Sequence, residues 1–183
     1  MGERPVDLPS HPVVAVSERE ETVSEQERVQ ALLHAVIALS IERDPDVVAR
    51  TIVATAIRLV DARFGALAVA GASRRLRRMV TASAEDVPTE PSARDRKRVR
   101  ATLIHLIEDR QPRTGPGCSV ALPIDIDGRT WGGLYVEGKR RAGGAHGEGS
   151  AVAFDDFDES TLRLLLAIVR PAIENTVRLA PAR

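Results

Sequence analysis

The sequence is poor in the residue types that most chemistry needs. Its 183 residues include one cysteine, so no disulfide can form within the chain and no cysteine-rich metal site can be built. Aromatic residues number five, one Trp, one Tyr and three Phe, too few to stack the bases of a single-stranded nucleic acid. Twenty-six basic residues balance 26 acidic ones, so no overall field holds a polyanion or an anionic membrane. No apolar run reaches the roughly 20 residues needed to span a bilayer, and Met1 to Ser10 lacks the apolar core of a signal peptide. A cytosolic protein is expected, with nucleic acid and membrane disfavoured as partners. The four histidines, His11, His34, His105 and His146, show no metal-ligand spacing.

What is present, 43% hydrophobic and 28% charged residues, is ordinary for one globular domain. Residues 1–23 combine Pro5, Pro9 and Pro12 with the charge run Glu18 to Glu21. Their one apolar cluster, Val13 to Val16, is too short to build a core, and a mobile tail is expected. A single domain then spans residues 24–180. Ser24 followed by Glu27 is a capping-box pattern opening a helix with apolar residues at Val29, Leu32, Leu33, Val36 and Leu39. Asp44-Pro45 caps a second helix. Gly65 to Ala70 and Arg77 to Ala82 read as a hairpin around Gly71-Ala72-Ser73, and residues 85–93 as a loop. Asp95 to Asp109 carries Val99, Leu103, Leu106 and Ile107 on one helical face. Ser119 to Ile126 and Trp131 to Glu137 flank an Asp127-Gly128 turn. Residues 140–151 are too Gly-rich to hold one conformation. Asp155, with Asp158 three residues on, caps a last helix in which Pro171 should cause a kink.

The element order predicts an α+β fold: an antiparallel sheet with the N- and C-terminal helices on one face and a lid over a pocket on the other. Asp125, Asp127 and Asp158 are spaced as turn and cap residues rather than as an acid/base pair, so no enzyme is expected. Arg74 to Arg78 and Arg94 to Arg100 form two basic clusters, expected near one end of the sheet as a solvated edge that discourages strand pairing.

Several segments resemble the GAF domain family, in particular the GAF domains of actinobacterial dormancy-type histidine kinases that sense oxygen or redox state. They are L-V-D-A-R-F-G-A-L-A-V (Leu59 to Val69), L-I-E-D-R-Q-P (Leu106 to Pro112), A-L-P-I-D-I-D-G-R-T-W-G-G-L-Y-V-E-G-K (Ala121 to Lys139) and A-I-E-N-T-V-R-L (Ala172 to Leu179). Gly138-Lys139 with Phe154, Asp158 and Glu159 also looks like a signature of cyclic-nucleotide-binding members, although the same residues serve as helix caps.

The resemblance implies a stand-alone sensory or regulatory domain that binds a small molecule or partner protein and signals through its terminal helices, as a helical dimer face, or to a separate output protein. Ligand-pocket residues would be Tyr135, His105, Cys118, Arg113 and Trp131. A homodimer seam would form from Leu32, Val36, Leu39, Leu165 and Val169. Alternatives are an interaction module with a collapsed pocket and a haem or redox sensor. Haem-binding relatives place a tyrosine where Tyr135 stands, yet hold the iron through a histidine where this chain has Arg113, so haem is not expected. GAF-fold reductases of free methionine sulfoxide resemble the chain in architecture, but they resolve the oxidised thiol with further cysteines.

Overall fold

The computed structural model describes residues 26, 28–39, 42, 44–71, 75–84, 92–115, 118–140 and 152–179, with side chains as far as Thr176 in the last helix. The expected tail, the Ser24 and Glu27 capping pair, the Gly71 to Ser73 turn beyond Gly71, most of the 85–93 loop and residues 141–151 of the Gly-rich loop lie outside the described residues. In chain order the elements are α1 (residues 28–39), α2 (Pro45–Leu59), β1 (Ala62–Ala70), β2 (Leu76–Ser83), α3 (Ala93–Asp109), β3 (Arg113–Gly115), β4 (Ser119–Ile126), β5 (Arg129–Lys139) and α4 (Asp156–Leu179).

Local chemistry fixes most boundaries. The Asp44 side chain accepts a hydrogen bond from the Asp46 N–H at 2.8 Å, with Pro45 at the first helical position of α2. Ser92 caps α3 by accepting from the Asp95 N–H at 3.1 Å, and Arg110, left-handed at φ 58°, ends it. Asp155 and Asp158 form a reciprocal box at the start of α4, each carboxylate accepting from the other's backbone N–H at 2.9 Å. Asp127 and Gly128, with φ of 48° and 73°, make the two-residue turn between β4 and β5. Pro171 lies inside α4, which continues to Leu179.

The sheet is fully antiparallel with strand order β2-β1-β5-β4-β3, the α+β arrangement expected from the element order. The three-residue β3 is an addition to the expected strands. It pairs Arg113 with Ala121 and Gly115 with Ser119, too short a run to leave an alternation in the sequence. β1, β2, β4 and β5 send side chains to two cores, one on each face. The larger packs α1, α2 and α4 against one face through residues such as Ile52, Leu67, Leu134 and Leu165. Among the described residues the smaller packs only α3, through Val99, Leu103, Leu106 and Ile107, against Ala66, Ala68, Ala121 and Tyr135. Among the described residues no helix is long and apolar enough to cross a membrane.

Candidate functional site

The face of the sheet beneath α3 is where a pocket was expected. The middle of its floor is made of small residues, Ala66, Ala68, Ala121 and Gly133, which lets a helix come close. A Cβ built on Gly133 would stand 2.5 Å from Leu106 Cδ2 and 3.2 Å from Leu103 Cδ2, inside contact distance. The leucines of α3 therefore occupy the space above the sheet, and Val99, Leu103, Leu106 and Ile107 are all fully buried.

One end of this contact is polar. Tyr135 is 1% exposed, and its hydroxyl accepts a bond from Arg98 Nη1 at 2.9 Å while donating to Glu137 Oε2 at 2.9 Å. Arg98 Nη2 in turn donates to both oxygens of Glu137, at 2.7 and 2.8 Å. A guanidinium on α3 thus bridges a phenol and a carboxylate on β5, the fork geometry that arginine suits. Burial pushes the Tyr135 phenol above its ordinary value, Ser119 opposes that shift, and the neighbouring Glu137 charge adds to it. The bonds to Glu137 hold the Arg98 guanidinium more firmly protonated than usual. Nothing in the sequence marked Arg98 apart from its basic neighbours; only the packing of α3 across β5 selects it.

The other expected pocket residues do not gather around Tyr135. The His105 side chain is 60% exposed and lies 3.7 Å from Glu108 on the outer side of α3. Arg113, on β3, is exposed and pairs with Asp109. Cys118 stands half-buried in a left-handed turn at φ 56°, its carbonyl accepting from the Gly138 N–H at 3.0 Å. Trp131 faces the opposite core. Gly132 pairs with Ile124 and Thr130 with Asp125, which leaves Trp131 as the extra residue of a bulge, and the bulge turns its ring to the helix side of the sheet.

These residues do not fit a haem. The leucines of α3 fill the space, Tyr135 is bonded on both sides, and the two described histidines, His34 and His105, are exposed. Among the described residues no group of three His, Cys, Asp or Glu side chains could hold a metal ion. The Gly138, Lys139, Phe154, Asp158 and Glu159 signature serves structure: Lys139 pairs with Asp158, which is 2% exposed, and with Asp155 at 3.4 Å, tying the end of β5 to the start of α4.

The seam expected from Leu32, Val36, Leu39, Leu165 and Val169 is largely internal. Leu39, Leu165 and Val169 are buried in the main core and Leu32 packs against it, so of the five only Val36 keeps substantial surface. Periodicity identified the apolar positions but not which of two adjacent stripes faces inward. The stripe left outside consists of Val29, Leu33, Val36 and Ile37 on α1 with Phe157, Leu164 and Ile168 on α4, each between 37% and 64% exposed. The two helices start side by side, with the Arg28 guanidinium 5.1 Å from the centre of the Phe157 ring.

The two basic clusters lie at different ends of the sheet. Arg98 reaches Glu137, whose row runs through Phe64 to Ser83 at the end of β2, whereas Arg77 and Arg78 belong to the start of β2, where the row runs through Val69 to Gly132. Arg78 is tied to Asp46 on α2, on the face away from α3.

No protein-family model matches the sequence. Solved structures match along most of the chain. The GAF domain of an Acinetobacter phosphoenolpyruvate-protein phosphotransferase superposes with a TM-score of 0.56 at 10% identity, over 85% of this chain and 97% of that one. The GAF domain of the Escherichia coli potassium sensor histidine kinase KdpD gives 0.53 at 17%, over 82% and 96%. The free methionine-R-sulfoxide reductase of Neisseria meningitidis, solved with its substrate, gives 0.56 at 13%, over 84% and 92%. Identities this low establish architecture and nothing finer, and the architecture is shared by sensor domains and an enzyme alike. The chain has the GAF fold, with α3 closed down on the face of the sheet opposite its terminal helices.

Proposed function

We propose that this chain is a non-enzymatic regulatory domain that works by protein association, pairing with a second copy of itself through the outward faces of α1 and α4. One observation carries the reading: every large apolar side chain exposed among the described residues is on those two helices. Burying seven such side chains, each about half exposed, contributes on the order of 1 kcal/mol apiece. Contiguous apolar patches of this kind mark interaction sites. The charges flanking the patch on α4 are matched along the helix, Arg163 with Glu159 and Arg170 with Glu174, so covering the face strands neither arginine. A second copy supplies the same apolar surface and closes with two-fold symmetry.

The closed packing of α3 supports an interaction module over a small-molecule receptor, because a ligand beneath α3 would have to displace four buried apolar side chains. The single cysteine supports a non-enzymatic role. A thiol reductase needs a second thiol to resolve the sulfenic acid formed on the first. The motifs at Leu59 to Val69 and Ala121 to Lys139 support a place beside the dormancy-type sensor domains, with a regulatory rather than catalytic output. Sedimentation velocity on Ile37→Glu and Leu164→Glu variants tests the reading. Both should sediment as monomers with unchanged circular dichroism while the parent sediments as a dimer; equal sedimentation of parent and variants would overturn it.

A further inference from the structure

The outer surface of α3 carries more positive charge than the fold uses. Its first two turns, Ala93 to Arg100, hold Arg94, Arg96, Lys97, Arg98 and Arg100 against one acid, Asp95, and all five cations are exposed. Helix chemistry works against such a run. Arg94 and Arg98, and Arg96 and Arg100, are like charges four residues apart, and Arg94 also stands at the positive end of the helix dipole. The core takes Val99, Leu103, Leu106 and Ile107 from α3 and none of these cations.

The carboxylates of Asp95 and Glu137 both go to Arg98, at 3.6 and 2.7 Å. Arg94, Lys97 and Arg100 have no ion-pair partner among the described residues. Spaced three residues apart, they form one row along the exposed side of α3, each side chain rooted about 5–6 Å from the next. The row spans about 9 Å of helix. The Ser92 hydroxyl already caps the first turn, so side chains and not the helix end make this surface. By contrast, Arg163 and Arg170 on α4 are matched to Glu159 and Glu174, and Arg78 on β2 to Asp46.

A row of this length complements a short acidic chain. Alternate residues of an extended segment point the same way about 6.5–7 Å apart, so its carboxylates can meet successive cations. A longer polyanion is turned away. The last turn of α3 has no basic residue and carries Glu108 and Asp109, and the helix has no Phe, Trp or Tyr on which bases could stack. α3 also lies across the sheet from α1 and α4, so an occupant here leaves their outward faces uncovered.

We propose that Arg94, Lys97 and Arg100 form a docking row for a short, extended acidic segment of a partner protein. The probe is a synthetic peptide alternating Glu with Ser, titrated by NMR into the isotope-labelled full chain at low salt, where exposed charges are least screened. Amide shifts should move along the first two turns of α3 and stay in place around Arg77 on β2. A double variant, Arg94→Glu with Lys97→Glu, should weaken binding about tenfold. It should also melt no lower than the parent, because it relieves like-charge repulsion and suits the helix dipole. Shifts spread equally over α3 and β2, or binding unmoved by the double variant, overturn the proposal. A lowered melting temperature does so as well, since the cations would then serve the fold. Tighter binding of an oligothymidylate of equal charge would make the row a phosphate surface and not a peptide site. Binding that appears only after Glu85→Gln, Asp86→Asn and Glu90→Gln also overturns it, because the chain's own acids would then fill the row.

Discussion

Gly133→Ala probes whether α3 really rests on the sheet. The new methyl would start 2.5 Å from Leu106 Cδ2 and 3.2 Å from Leu103 Cδ2, so one leucine must leave its rotamer or α3 must lift. Overpacking of this kind costs about 1–3 kcal/mol. Leu106→Ala alone removes a fully buried side chain and costs about 2–5 kcal/mol. Combined, the two changes should partly cancel. With Leu106 truncated, the methyl on Gly133 occupies vacated space and relieves the glycine of its excess unfolded-state entropy, worth roughly 0.5–1 kcal/mol. Gly133→Ala should therefore destabilise the parent and leave the Leu106→Ala background unchanged or slightly more stable, a coupling of at least about 1 kcal/mol. Urea denaturation followed by fluorescence of the single tryptophan, Trp131, which sits in the opposite core, reads the whole cycle. Purely additive effects, or a neutral Gly133→Ala in the parent, would refute the closed packing of α3.

Two further outcomes follow from the polar contacts. Tyr135 is the only tyrosine, so ultraviolet absorbance titrates it alone. Its phenol should ionise above the ordinary value of 10.0; Glu137→Gln should bring it down and Arg98→Met should raise it further, because the carboxylate opposes ionisation and the guanidinium assists it. Ionisation at the ordinary value, unmoved by either change, would contradict the Arg98 bridge. At the start of α4, the Asp158 N–H bond holds the Asp155 carboxyl below its ordinary value of 3.8, and the Ser92 hydroxyl does the same for Asp95 on α3. Lowered carboxyls contribute stability that is present above that value and lost as the pH falls through the folded-state values. The melting temperature should fall on acidification below about pH 4, less steeply in Asp155→Asn. Asp158→Ala, which leaves Lys139 with only the exposed Asp155 as partner, should cost about 1.5–3 kcal/mol in urea denaturation; a loss within measurement error would remove the β5 to α4 tie from the account.

Much of the fold could be read from residues that do local work. Asp44-Pro45, Asp127-Gly128 and Asp155 with Asp158 each impose one backbone geometry, and each appears where its chemistry requires. The site was less legible, for three physical reasons. A three-residue strand such as β3 is held by its partner and not by its own pattern. The direction of Trp131 depends on a bulge, which periodicity cannot register because one extra residue inverts every later face. Four of the five residues expected at a seam turned out to face the core because α1 and α4 are apolar over a wide arc: Ala31, Ala35 and Leu39 turn inward while Leu33 and Ile37 turn outward, and only the assembled core decides between them.

That outward stripe makes mass in solution the most direct measurement. Light scattering coupled to size-exclusion chromatography, at tens of micromolar, should give about 40 kDa, twice the 19.8 kDa of the chain. A single species at the monomer mass over that range would contradict association through α1 and α4.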